Sequence, residues 1–159
     1  MKRKHVILLV EDNDDDAFFL DRAVTKAGMG MVLKRVSNGQ EAIDYLQGVD
    51  LFSDRDGFPL PDIIMLDLKM PICDGFDFLA WKRKEPTLIH LPTIVMTSSD
   101  LPRDVRRSYE LGAHSFTTKL LNLDSLESRL EALRDWWFQN CVLVTESEDS
   151  EESEEEATK

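Results

Sequence analysis

Short runs of consecutive apolar residues alternate along this chain with segments whose apolar residues recur every three or four positions. Residues 6–10, 31–36, 63–66, 93–96 and 114–117 have the length of strands, and 6–10 and 63–66 are continuously apolar, as strands buried on both faces are. The intervening segments read as helices. In 15–27, Ala17, Leu20, Val24 and Ala27 share one face, with Asp14 or Asp15 as the N-cap. The segment 39–46 is opened by "SNGQEA", 76–84 stops before Pro86, and 103–111 ends at Gly112. In 125–137, Leu126, Leu130, Leu133 and Trp137 form a single stripe. Five β–α repeats of this kind predict an α/β fold with a parallel sheet covered by helices on both sides.

In such a sheet, functional groups gather beyond the carboxyl ends of the strands. The first run ends in Glu11, Asp12, Asn13 and Asp14, and the third in Asp67. The fourth ends in Thr97, Ser98 and Ser99, and the fifth in Thr117, Thr118 and Lys119. Carboxylates, hydroxyls and one lysine are thereby predicted at one edge. In the stretch "DIIMLDLKMPICDG", four apolar residues deliver Asp67 to the end of a buried strand, where desolvation makes a charge expensive. Either a satisfied structural aspartate or a metal-bound, reactive one answers that cost. Clustered acids need a cation, and an oxygen-only donor set selects a hard one. Mg²⁺ is held characteristically by one or two carboxylates with waters and phosphate oxygens. Asp12 and Asp67 are the best ligands, with Glu11 near enough to act through water. A lysine and a hydroxyl beside them suit an arriving phosphoryl group. A carboxylate oxygen free of the metal can then attack phosphorus to give an acyl phosphate.

Composition narrows the classes. At 159 residues and 42% apolar content the chain suits one globular domain. No apolar run approaches the roughly 18 residues of a membrane span. The basic start, Met-Lys-Arg-Lys-His, leads into too short an apolar run for a signal peptide, so a cytoplasmic protein is expected. Cys73 and Cys141 have no metal spacing and read as reduced thiols, while His5, His90 and His114 lie in unrelated contexts. Of the net charge of −12, residues 141–159 carry −7 and the remaining 140 residues carry −5. No basic stripe is present for nucleic acid. The expected organisation is a domain over 1–140 and an acidic, disordered tail over 141–159. Residues 48–61, rich in turn formers, read as a surface Ω-loop.

Four blocks, "VILLVEDNDDDAFFL", "PDIIMLDLKMPICDGFDFL", "LPTIVMTSSD" and "YELGAHSFTTK", resemble the signatures of the response-regulator receiver domain and, with their spacing, cover nearly all of residues 5–137. The long loop before the third strand and the ending "RDWWFQN" resemble the stand-alone regulators that partner phytochrome-type light-sensing histidine kinases. The resemblance implies a flavodoxin-like, doubly wound (βα)5 fold with strand order 2-1-3-4-5. It implies that Asp67 accepts a phosphoryl group from a phosphohistidine on a sensor histidine kinase. Glu11 and Asp12 would be the acidic pair, with Asp12 a direct Mg²⁺ ligand and the backbone carbonyl of Lys69 another. Thr97 would hydrogen-bond the phosphoryl oxygen, Lys119 would ion-pair with it, and Phe116 would be the aromatic switch. Such a domain catalyses its own phosphorylation and dephosphorylation, and is a phosphoacceptor switch, not an enzyme in the usual sense.

One departure concerns Leu120, which stands where the family usually has a proline after a cis bond. A cis bond costs ~2.5–4 kcal/mol before a non-proline residue, against ≈ 0.5–1 before proline, so a trans Lys119–Leu120 bond is expected. Lys69 is expected either to overhang the site and slow water attack or to be a solvated lysine. An aspartyl-phosphate phosphohydrolase would need an acid where Lys69 stands, and a dinucleotide-binding domain a Gly-rich loop in place of "VEDNDDD". A degenerate receiver acting as a constitutive binding module is kept open by Leu120, against the presence of Asp12, Asp67, Thr97 and Lys119. With no output domain after the last helix, signalling would pass through surface contacts. Trp136, Trp137 and Phe138 cannot all be buried by one helix face. Trp137 continues the core stripe, leaving Trp136 or Phe138 for an interface, with a homodimer favoured over a cap on the domain's own edge.

Overall fold

The structure, a computed structural model, describes residues 3–28, 30–120 and 122–144. Five parallel strands lie in the order β2-β1-β3-β4-β5: β1 His5–Val10, β2 Met31–Val36, β3 Ile63–Leu66, β4 Thr93–Thr97 and β5 Ser115–Thr118. Their registers pair Ile7 with Leu33 on one side and with Ile63 on the other, Ile64 with Thr93, and Ile94 with Ser115. This is the flavodoxin-like doubly wound order. The chain leaves β1 toward β2 and crosses back to β3, so the crevice between β1 and β3 opens at the carboxyl edge.

The helices are α1 Asp14–Ala27, α2 Gly39–Gln47, α3 Gly75–Lys82, α4 Pro102–Glu110 and α5 Leu123–Leu133. Alternate residues of the central strands feed two cores. Ile7, Leu9, Ile63 and Met65 pack with α1 and α5, while Leu8, Val10, Ile64 and Leu66 pack with α2 and α3. Continuous apolar runs are needed because both faces of the sheet are covered. No helix among the described residues is long and apolar enough to cross a membrane.

Helix starts follow side-chain caps. Asn13, not Asp14 or Asp15, caps α1, its Oδ1 accepting the Asp16 N–H at 2.9 Å. Asn38, Asp74 and Asn122 do the same for α2, α3 and α5. Asn122 sets the start of α5 two residues earlier than the stripe predicts. Lys119–Leu120 is trans, as are all peptide bonds of the described residues.

Two segments depart from the simple pattern. The connection 48–61 is a built structure: Phe52 and Phe58 pack around Tyr45, and the Arg55 guanidinium donates to the carbonyls of Tyr45 and Leu46 at 2.7 and 3.0 Å. Those carbonyls are the otherwise unpaired acceptors at the end of α2. After Leu133 the last helix widens into a π-helical segment, Arg134–Asn140, closed by Cys141 N–H donating to the Trp136 carbonyl. A π turn advances less per residue than an α turn, so consecutive side chains diverge less. Trp137 and Phe138 therefore both reach the α1–α5 core, with the Phe138 ring stacked on His5 at 4.1 Å, while Trp136 is left 61% exposed. Leu143 and Val144 then line a groove with Leu88, His90 and Pro92 beneath the amino edge of the sheet. The acidic run 146–156 lies outside the described residues.

Candidate functional site

Strand register and backbone hydrogen bonds assemble the carboxyl edge. The Glu11 amide donates to the Val36 carbonyl and the Asp67 amide to the Val10 carbonyl, so both residues still belong to the sheet and are held as rigidly as its core. The α3 amino end must come close to Asp67. A Cβ on Gly75 would lie 2.5 Å from the Asp67 carbonyl oxygen and 2.8 Å from Leu68 Cα, so only glycine fits there. On the far side, the Lys119 amide donates to the Thr97 carbonyl, which ties the end of β5 to that of β4.

Carboxylate oxygens of Glu11, Asp12 and Asp67 all lie within 4.8 Å of one another. Glu11 and Asp67 are buried, whereas Asp12 is exposed and open to water. Lys119 Nζ reaches into this cluster, 2.9 Å from Glu11 Oε2 and 3.1 Å from Asp67 Oδ2. Three carboxylates thus pair with one ammonium, because Asp16 Oδ2 also lies 2.8 Å from it, and Asp12 adds a fourth negative charge to the cluster. Burial chiefly, and the Asp67 charge in part, push Glu11 up to about 7 against the opposing pull of Lys119 and the Asn13 amide. For Lys119 burial works to lower the pKa, but Asp16, Glu11 and Asp67 together outweigh it and hold it above the usual lysine range.

Thr97 is buried at the end of β4, and its Oγ1 has no hydrogen-bond partner. An orphaned buried hydroxyl carries a desolvation cost that an arriving acceptor would relieve. An oxygen-only donor set with one solvent-open member and an excess of negative charge fits a hard divalent cation. The cluster opens into a cavity of about 180 Å³ whose polar rim includes Asp16, Ser98 and Lys119 and whose floor includes Leu9, Leu20 and Met96.

The remaining sequence-derived candidates occupy different places in the fold. Lys69 is exposed in the loop after Asp67. Phe116 is half-buried on β5 among the residues of the α2–α3 core, and its amide donates to Tyr109 Oη at 3.1 Å. Trp136 and Phe138 sit at the opposite end, near the start of β1. Asp16 went unnoticed in the sequence. The available signal was its place in the first turn of the helix that opens directly after the acidic pair. Arg35 was also missed. It donates to the carbonyls of Glu11 and Asp12 and pairs with Asp14 at 2.8 Å, fixing the backbone that carries the acidic pair.

Comparison with known proteins agrees with this arrangement. Residues 7–131 match the model of the response regulator receiver domain. The chain is 31% identical over 133 residues to the probable methanogenesis regulatory protein FilR2 of Methanothrix harundinacea, covering 84% of this chain and 83% of that one. It is 31% identical over 138 residues to the response regulator Rcp1 of Synechocystis, covering 87% and 92%. A solved Mn²⁺-bound form of Rcp1 superposes with a TM-score of 0.77 at 30% identity over 89% of this chain and 99% of that one. The phosphorylated cyanobacterial phytochrome response regulator RcpA superposes with a TM-score of 0.81, at the same identity and coverage. With its sheet order, its acidic edge and the match of most of its length, the chain belongs to the response regulator receiver domain family.

Proposed function

We propose that this chain is a single-domain response regulator of the cytoplasm in which Asp67 accepts a phosphoryl group from a phosphohistidine of a sensor histidine kinase. The observation that carries this reading is the convergence of Glu11, Asp12 and Asp67 with Lys119 Nζ at 3.1 Å from Asp67 and the unpartnered Thr97 hydroxyl at the neighbouring strand end. Asp12, Asp67 and the Lys69 carbonyl would hold Mg²⁺, with Glu11 acting through water. When bound, the ion neutralises the carboxylates and draws charge from the phosphoryl oxygens. An Asp67 oxygen attacks phosphorus, and the phosphorus–nitrogen bond to the imidazole breaks, its electron pair staying on nitrogen. The product is an aspartyl phosphate and a neutral histidine. Lys119 offsets the charge on the phosphoryl oxygens and Thr97 donates to one of them. Water later attacks phosphorus and releases inorganic phosphate. In this role the chain is a self-phosphorylating and self-dephosphorylating switch, not an enzyme acting on a separate substrate.

The finer assignments follow the same reading. Phe116 turns inward when Thr97 engages the phosphoryl group, a movement the Phe116–Tyr109 hydrogen bond would pass to α4. Likeness to phytochrome response regulators supports a phytochrome-type kinase as the donor. The exposed Trp136, with the half-buried Phe138 beside it, supports a homodimer through the end of the last helix. Residues 1–140 act as the receiver unit and 141–159 as its acidic appendage.

Incubation with a small phosphodonor and Mg²⁺, read by intact mass, tests the central step. One added phosphoryl group is expected, absent without the divalent ion and absent in Asp67→Asn. Equal labelling of that variant would refute the assignment. Sedimentation with and without a phosphoryl analogue tests the dimer, and a monomer in both states would remove it.

A further inference from the structure

We infer that the acidic segment 146–156 docks, within the same molecule, on a basic face formed by the end of α3 and by α4. This inference stands apart from the phosphoryl chemistry and needs none of it.

The face carries Arg83 and Lys84 at the end of α3 and Arg103, Arg106 and Arg107 on α4, all exposed. Arg83 Nη1 donates to the Glu110 carbonyl at 3.3 Å, so the two helix ends are joined into one surface. Glu85 and Glu110 share this surface, but neither forms an ion pair with these cations within 4.0 Å. Asp104 is 4.0 Å from Arg103 but accepts a hydrogen bond from Ser99 Oγ at 2.7 Å. Arg107 lies over the Phe76 ring at 4.2 Å, its charge held against the surface and still open to solvent.

Of the other arginines, Arg3 pairs with Asp62, Arg35 with Asp14 and Arg134 with Asp135, Arg55 and Arg129 donate to backbone carbonyls, and Arg22 stands exposed on α1. A net charge of −5 through residue 140 makes this concentration of cations the exception on an acidic molecule.

The chain is led to this face. Leu143 and Val144 lie in the groove with Thr87, Leu88 and His90, three to six residues along the chain from Lys84. Fifteen residues remain beyond Val144, a reach of up to roughly 50 Å when extended. The nine-residue α4 is only about 14 Å long. Eight acids within 146–156 then meet five cations. A contact of this kind is electrostatic, adapts to many chain paths and weakens as salt screens it. Any acidic partner of α4 must displace the segment first, which makes it an internal competitor for that face.

The test uses the full chain with a nitroxide spin label at Ser150→Cys, in a Cys73→Ser and Cys141→Ser background. Amide signals of Arg103–Arg107 are expected to fall to about half intensity at about 20 mM NaCl and to recover at about 0.5 M, where the screening length is only a few ångströms. Arg103→Glu with Arg106→Glu, which spares the Arg107–Phe76 stack, should abolish the low-salt loss. No loss at low salt, or a loss that survives the charge reversal, overturns the inference. So does a loss of the same size when spin-labelled chain without isotope is mixed with isotope-labelled chain without spin label, because docking would then be between molecules.

Discussion

Replacing Lys82 with methionine is expected to stabilise the protein at pH 7 by about 2–3 kcal/mol. Lys82 lies on the inner face of α3 beside Phe78 and Leu79 and is 3% exposed. Burial lowers its pKa from 10.5 to about 8, with no carboxylate among the described residues to offset it. A drop of that size corresponds to about 3 kcal/mol of disfavoured charge. Methionine keeps the length and burial of the stem without the charge, so most of that cost is recovered. The sign with pH follows from proton binding. Between about 8 and 10.5 the unfolded chain holds the Lys82 proton and the folded chain has released it, so wild-type stability rises with pH across that window. The advantage of Lys82→Met should therefore be full at pH 7 and shrink toward pH 10.5. Urea denaturation of both chains at pH 7, 8.5 and 10 measures it. Cys73, whose thiol burial pushes up, and Lys119 titrate in both chains and cancel in the difference. A second readout is His114, which burial, then the Lys82 charge, hold below the usual histidine range. Its imidazole titration should move up in the variant. A variant less stable at pH 7, or a difference that stays constant to pH 10, would refute the reasoning.

Three further outcomes follow from the site. Thr97→Val removes an unpartnered buried hydroxyl at nearly constant shape, so thermal stability should rise by about 1 kcal/mol while labelling by a small phosphodonor slows. Unchanged labelling would show that Thr97 does not touch the phosphoryl group. Lys119→Met leaves buried Glu11 and Asp67 without their shared ammonium, which should cost about 3 kcal/mol in metal-free buffer, partly restored by millimolar Mg²⁺ in denaturant titrations. Gly75→Ala puts a methyl 2.5 Å from the Asp67 carbonyl oxygen and should destabilise by about 1–3 kcal/mol, read as a lower urea midpoint, with slower phosphorylation from displacement of Asp67.

The sequence alone carried the strand and helix positions because each element must bury a face, and burial leaves a periodic trace. β3 matches its apolar run residue for residue, since a strand covered on both sides tolerates no polar interruption, whereas β2, at the edge of the sheet, keeps its predicted bounds but carries Lys34 and Arg35. Asp67 was legible for the same reason: a carboxylate directly after four buried residues has no other place than the sheet edge. Strand order was not in the periodicity and came from the resemblance, because a local pattern does not say on which side of β1 the chain returns. Only the tertiary structure decided the rest. An acid in the first turn of α1 serves equally well as partner to the helix dipole, so Asp16 becomes part of the site only when packing of α1 aims it at Lys119. Arg55 in a polar loop reads as solvated until the end of α2 supplies its carbonyls. Trp136, Trp137 and Phe138 are alike to any hydropathy pattern. The π turn, a matter of backbone geometry, turns two of them inward and leaves the third to solvent.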